Sequence, residues 1–230
     1  MPFFKRRLPQ IEVLGSVRTK EIYGKEKAIH FIRDRNREMI EYYGMQREAA
    51  ELNLDFDAIP VDRAVKERDR VDLGNGVVVE LTEVPGHSSC SIAAYVGKIK
   101  ALFASDAAGI PNEKGTIYPI GNEDFAQFQK SLAKLNQYEV EILCAARNGV
   151  FLGEDGREFI SKTMRAAAQL RQEVIKRFAE MGDRRRVAAE LCNRIYAEMK
   201  TVDIPKEIFL GVIKSIVDNI VDSDISRQVA

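Results

Sequence analysis

The sequence predicts an α/β (α+β) body over residues 1–153, followed by a helical extension over residues 154–230. Residues 17–54 are rich in charge and carry apolar residues at near-helical intervals. Residues 69–106 change to the β-branched, turn-punctuated composition of strands, and the helical pattern returns after residue 154. At 230 residues, the chain is long enough for one large domain or one domain with an appendage.

Composition and charge are those of an ordinary globular protein. Hydrophobic residues make up 45% and charged residues 30%, which excludes a disordered or collagen-like chain. The 35 basic and 35 acidic residues cancel, so the chain has no overall attraction to nucleic acid or to an anionic membrane. No apolar run reaches the roughly 18 residues of a membrane span, and no signal peptide is evident. We therefore expect a cytoplasmic protein with no nucleic-acid and no membrane partner.

Cysteines and histidines are few. Cys90, Cys144 and Cys192 lie far apart without CxxC spacing, so neither a disulfide framework nor a cysteine zinc site is indicated. His30 lies in a charged helical segment and is expected on a helix surface without a role. His87 is then the one imidazole left for a metal site.

Helices are predicted on both sides of the strand-rich region. Gly24 and Gly44 should interrupt the early helical segment, which follows a short β-prone run at residues 11–14. Pro205 suits the first turn of the last of three helices in the extension, whose joints are expected at residues 182–183 and 201–204. A helix after Gly121-Asn122 should bury one apolar face in the core, formed by Phe125, Phe128, Leu132 and Leu135.

Three strands are predicted around two turn signals, and a fourth at residues 140–144. Val77 to Leu81 form a β-branched run after a glycine-rich turn. Residues 90–96 and 99–104 should pair around Gly97-Lys98, because a two-residue loop with glycine first suits a type II′ hairpin.

That hairpin brings two polar side chains together. If Val96 pairs with Ile99, then Ser89 faces Asp106, and His87 lies diagonal to Asp106 at about 7–8 Å between Cα atoms. An imidazole nitrogen and a carboxylate oxygen are suitable ligands for Zn²⁺ or another first-row metal, which can activate water near neutral pH. On these residues alone, a plain hydrogen bond between His87 and Asp106 remains the alternative.

Two motifs resemble those of the metallo-β-lactamase-fold hydrolases: PGHSSCS after a β-prone run, and LFASDA at the end of the hairpin. In that family a TPGHT-like turn and a GD-like strand end supply two metal ligands. PFFKRRLP and IEVLGS are similar to the helix and strand that follow the family's HxHxDH motif. The helical tail is similar to that of glyoxalase II-like, thioesterase-like members with added C-terminal helices.

The resemblance covers residues 2 to about 155 and implies a partial αββα sandwich. It implies a metal-ligand histidine at His87 and a carboxylate able to bridge two metals at Asp106. It implies that the cofactor is zinc, bound as one ion or as two, or that iron or manganese takes the place of zinc.

The chain departs from the family in two places. The HxHxDH block is expected just before Pro2, so the resemblance implies a truncated chain. The late histidine falls on Arg147, within the segment CAARNG. Two ligands remain, fewer than the three protein ligands of an ordinary catalytic zinc site, so metal should bind weakly or not at all.

Two functions follow from the resemblance. The first is hydrolysis of a small-molecule thioester or ester by metal-bound hydroxide, with this chain inactive or weakly active. The second is a non-catalytic interaction or regulatory module, which Arg147 favours because a permanent cation repels a metal ion. An incomplete sandwich should also expose one sheet face, which a homodimer would cover.

Overall fold

The structure is a computed structural model that describes residues 1–199 and 204–229. The chain forms two compact units, Met1–Lys66 and Glu67–Ala230. The domain boundary after residue 153 stays a prediction. Residues 201–203 of the predicted last joint lie outside the described residues.

The first unit combines short helices with a small parallel sheet. The predicted helical region is confirmed, with breaks near Gly24 and Gly44. Ser16 begins one of these helices, because its hydroxyl accepts a hydrogen bond from the backbone N–H of Thr19 at 3.0 Å. The elements are α1 (Pro2–Arg7), β1 (Leu14–Ser16), α2 (Val17–Tyr23), α3 (Glu26–Tyr42), α4 (Gln46–Glu51) and β2 (Arg63–Val65). Strands β1 and β2 pair in parallel.

The second unit is built on a six-stranded mixed sheet. Its strands are β3 (Arg70–Asp72), β4 (Val78–Glu83), β5 (Ile92–Val96), β6 (Ala101–Ser105), β9 (Ile142–Ala145) and β10 (Val150–Leu152), in the order β10-β9-β6-β5-β4-β3. Strands β6 and β9 are parallel, and the other pairs are antiparallel. A separate two-stranded sheet is formed by β7 (Ile110–Pro111) and β8 (Ile117–Tyr118).

The predicted two-residue hairpin at Gly97-Lys98 is wrong. Val96 pairs with Ala101 rather than with Ile99. The loop is a 3₁₀ turn over Gly97–Ile99, followed by Lys100 in the left-handed conformation with φ of 49°. Moving the partner from residue 99 to residue 101 keeps every side chain on its original face, so alternation of apolar residues does not distinguish the two registers.

Four helices complete the second unit. The predicted core face of the first is confirmed, since its four apolar side chains are at most 1% exposed. Asp183 begins the third helix and accepts hydrogen bonds from the N–H groups of Arg185 and Arg186. The helices are α5 (Phe125–Leu135), α6 (Gly153–Met181), α7 (Arg184–Glu198) and α8 (Lys206–Val229). Of the helices in the described residues, none is long and apolar enough to cross a membrane.

The two faces of the six-stranded sheet differ in exposure. Leu102 and Leu143 point to one face and belong to the same buried core as the apolar residues of α5 to α8. On the opposite face the register places Phe103 and Val150 beside Cys144 of β9. Phe103, Val150 and Leu152 are 47%, 57% and 63% exposed. The homodimer expected to cover such a face stays a prediction.

We expect the two faces to respond differently to truncation of a leucine. Leu143→Ala removes a fully buried side chain of the core face and should lower the free energy of unfolding by about 2–5 kcal/mol. Leu152→Ala, the matched control on the exposed face, should change it by less than about 0.5 kcal/mol. Denaturant unfolding of both variants measures the difference, and equal losses would show that the second face is also buried.

Candidate functional site

His87 and Asp106 lie next to each other beyond the ends of adjacent strands. His87 is in the turn between β4 and β5, and Asp106 opens the 3₁₀ turn Asp106–Ala108 after β6. His87 Nε2 is 3.5 Å from Asp106 Oδ2. The predicted proximity is therefore confirmed, although the hairpin register behind it was wrong. The metal-binding role of the two residues stays a prediction.

Gly86 positions the turn that carries His87. It has φ of +132°, and a Cβ atom there would lie 2.3 Å from the backbone nitrogen of Phe128. The Gly86 carbonyl accepts hydrogen bonds from the N–H groups of Glu123 and Asp124, at 3.1 and 3.0 Å. The turn is thus held against the start of α5, which fixes the position of the next residue, His87.

Ser105 directs Asp106 through a strained backbone. Its φ and ψ are 54° and −160°, close to a region that is essentially restricted to glycine. Such a conformation costs about 1–3 kcal/mol and persists only where the surrounding structure enforces it. The strain immediately before Asp106 marks this strand end as a candidate functional position.

The hydrogen bond made by the His87 ring determines which of its two nitrogen atoms faces Asp106, and whether that atom carries a hydrogen in the neutral ring. Nδ1 lies 2.8 Å from the carbonyl oxygen of Ile120, and a carbonyl can only accept, so Nδ1 is the protonated nitrogen. In the neutral ring Nε2 then carries a lone pair directed at Asp106 Oδ2. Two acceptor atoms that face each other are suited to hold a cation such as a metal ion between them.

Arg147 lies on the other side of the same carboxylate. Its Nε atom is 3.7 Å from Asp106 Oδ1, a distance for an ion pair but too long for a hydrogen bond. Asp106 is 17% exposed, and its Oδ1 atom is buried without a hydrogen-bond partner in the described part of the chain. The residue that the resemblance placed at a ligand position is therefore a cation beside the candidate ligand.

The described residues offer few further metal ligands. Across residues 1–199 and 204–229, no three or more His, Cys, Asp or Glu side chains are grouped so that they could hold a metal ion. Burial raises the pKa of the Cys144 thiol, so this nearby cysteine stays protonated at neutral pH. His30 is half exposed and lies 3.7 Å from Glu26 on α3, as expected for a surface residue.

A cavity of about 110 Å³ adjoins the cluster. Its polar wall contains His87, Asp106, Arg147 and Asn148, and Asn148 is held by a 2.6 Å hydrogen bond to the Pro111 carbonyl. The rest of the lining is apolar, and most of it comes from the helical extension: Met199, Ile204, Phe209 and Val212. Sequence reasoning did not place these residues at the site, because the apolar periodicity of the last helix predicts a buried face but does not show which cavity it lines.

Three solved structures with a similar fold are distant from this chain in sequence. A metallo-β-lactamase family protein from Thermus thermophilus matches 94% of this chain with a TM-score of 0.57 and 14% identity. The sec-alkylsulfatase from Pseudomonas sp. matches 94% with a TM-score of 0.56 and 14% identity. An archaeal metallo-β-lactamase superfamily protein from Sulfolobus tokodaii matches 70% with a TM-score of 0.52 and 15% identity.

These comparisons show the fold. The chain covers 67%, 37% and 60% of the Thermus, Pseudomonas and Sulfolobus proteins, respectively. No protein-family model matches the sequence. The chain therefore has a metallo-β-lactamase-like fold with a helical C-terminal part, as the resemblance of its two motifs implied.

Relief of the strain before Asp106 should stabilise the protein. We expect Ser105→Gly to raise the free energy of unfolding by about 1 kcal/mol, because glycine adopts this conformation without the steric cost. Ser105→Ala keeps the Cβ atom and should give no gain. Thermal or denaturant unfolding of both variants is the measurement, and equal stability of the glycine and alanine variants would contradict the assignment of strain.

Proposed function

We propose that this scaffold is that of a metal-dependent hydrolase of small-molecule thioesters or esters, with His87 and Asp106 in two metal-binding positions. The observation that carries the proposal is the approach of His87 Nε2 to Asp106 Oδ2 at 3.5 Å, with the ring held by the Ile120 carbonyl. A histidine that donates its other nitrogen to a carbonyl is the usual arrangement of a metal ligand. The fold supports it, because the similar Pseudomonas protein is a sulfatase, which is a hydrolase.

The described residues do not fit a complete catalytic metal centre. They supply two donors, His87 and Asp106, whereas a catalytic zinc site has at least three protein ligands. The guanidinium of Arg147, 3.7 Å from Asp106, adds a like charge for any incoming cation. We therefore expect this chain to bind zinc weakly. The same number of donors, two, is available to iron or manganese, so weak binding is expected for these metals as well.

A second function, a non-catalytic binding module, is favoured by one observation. Arg147 supplies the positive charge that the Asp106 carboxylate requires, so the site is electrostatically balanced without a metal. On this proposal the scaffold is kept and the cavity beside it binds a ligand without turning it over.

Zinc affinities of the unmodified chain and of two variants test whether the site has only two metal-ligating residues. We expect weak binding by the unmodified chain, and Arg147→His should tighten it at least about tenfold, because it removes a cation and adds a third ligand. Arg147→Gln is the matched control, since it removes the charge without adding a ligand, and its affinity should lie between the two. Competition with a chelating dye measures all three.

Removal of His87 from the Arg147→His variant tests whether the added zinc affinity arises at this site. His87→Ala in the Arg147→His background should return zinc binding to the level of Arg147→Gln, because both proteins have two donors and no cation at residue 147. Stoichiometric, tightly held zinc in the unmodified chain, with hydrolysis of a thioester reporter that is lost in His87→Ala, would show that the donor count is wrong.

A further inference from the structure

We infer that the cavity beside Asp106 binds a small carboxylate with a short apolar chain, and that Arg147 holds the carboxylate. The inference rests on the second function proposed above, a non-catalytic binding module, and adds the chemical class of the ligand. It requires neither a metal nor turnover.

Arg147 has donors to offer to a ligand. Its one described ion pair is the 3.7 Å contact from Nε to Asp106, and no acceptor in the described ranges lies within hydrogen-bond distance of its guanidinium. The side chain is 52% exposed, so a ligand can reach it. A planar guanidinium with free N–H groups matches the two oxygens of a carboxylate.

The apolar part of the cavity lining suits an alkyl chain. Met199 and Phe209 are each 2% exposed, and with Ile204 and Val212 they form an apolar surface from the helical extension. Ile110 and Ile120 contribute apolar atoms from the body of the same unit. Burial of each methylene in such surroundings is favourable by about 0.8 kcal/mol, a fourfold gain in affinity.

The size of the cavity limits the length of the chain. Its volume of about 110 Å³ is below the roughly 150 Å³ of an apolar cavity that accepts benzene. An alkyl chain of up to about five carbons, fewer than the six of benzene, therefore fits when the carboxylate stays outside at the exposed Arg147, whereas a long fatty-acid chain does not.

The charges of the cluster disfavour a cationic ligand. Among the cavity-lining residues that the structure describes, Arg147 is the one permanent cation, and Asp106 already lies against it. A cationic ligand would meet the guanidinium, whereas a phosphate dianion would be attracted by Arg147 and repelled by Asp106 in equal proportion, so the apolar lining is what favours a carboxylate with an alkyl chain over phosphate. Because Asp106 also opposes a carboxylate, we expect only millimolar affinity.

Titration of the full chain with hexanoate, in the presence of a chelator, tests the inference. NMR shifts or calorimetry should show saturable binding of hexanoate. Acetate should bind at least about tenfold more weakly because it lacks the chain, and hexanol at least about tenfold more weakly because it lacks the charge. Dodecanoate should not bind in this cavity.

Three variants locate the two halves of the site. Arg147→Gln should weaken hexanoate binding about tenfold or more, and Arg147→Lys should retain part of the affinity. Val212→Phe should fill the apolar end and weaken hexanoate without affecting acetate. Arg165→Gln, which removes an exposed arginine of α6 outside the cavity lining, is the matched control and should bind as the unmodified chain does.

Failure of this inference is distinguishable from failure of the proposed function. Absence of saturable hexanoate binding, equal binding of hexanol, or unchanged binding by Arg147→Gln would each overturn the carboxylate site. None of these results depends on zinc affinity or on thioester hydrolysis, which test the proposed function separately.

Discussion

The neutralisation of one largely buried carboxylate constrains the whole site. Asp106 stands at the end of a central strand with one oxygen atom shielded from solvent, and a carboxylate in that setting needs a positive charge nearby. The structure provides the guanidinium of Arg147 on one side, and the His87 ring lies on the other side of the carboxylate. A metal ion would meet the same requirement, which explains how one scaffold accommodates either a metal centre or a guanidinium. The charge that fills this position therefore decides between the two proposed functions.

The backbone around Asp106 is shaped to hold the carboxylate in place. Ser105 accepts a strained conformation immediately before it, and Gly86 allows the facing turn to pack against α5 without a Cβ atom. The helical extension contributes as well, because Thr163 of α6 donates a hydrogen bond to the Ala108 carbonyl at 2.9 Å. The extension thus supports the turn that carries Asp106 in addition to forming the apolar wall of the cavity.

Sequence reasoning predicted what depends on local periodicity and strand ends. The core face of α5 and the proximity of His87 to Asp106 followed from apolar spacing and from adjacent strands that end together. The hairpin register did not, because a two-residue shift preserves both faces. Strands β2 and β3 are three residues long and carry no periodic signal. Two further features depend on the tertiary packing of segments that are far apart in the chain. They are the contact of Arg147 with Asp106 and the position of Phe209 in the lining of the cavity.

The central claim is that Arg147 is the counterion of Asp106, and a double-mutant cycle tests it most directly. The free energy of unfolding would be measured, with a chelator present, for the unmodified chain, Asp106→Asn, Arg147→Gln and the double variant. We predict a favourable coupling of about 0.5–1 kcal/mol, the range for a partly exposed ion pair, so that loss of one partner makes loss of the other less costly. Strictly additive effects of the two substitutions would contradict the account, since they would mean that Arg147 does not neutralise Asp106.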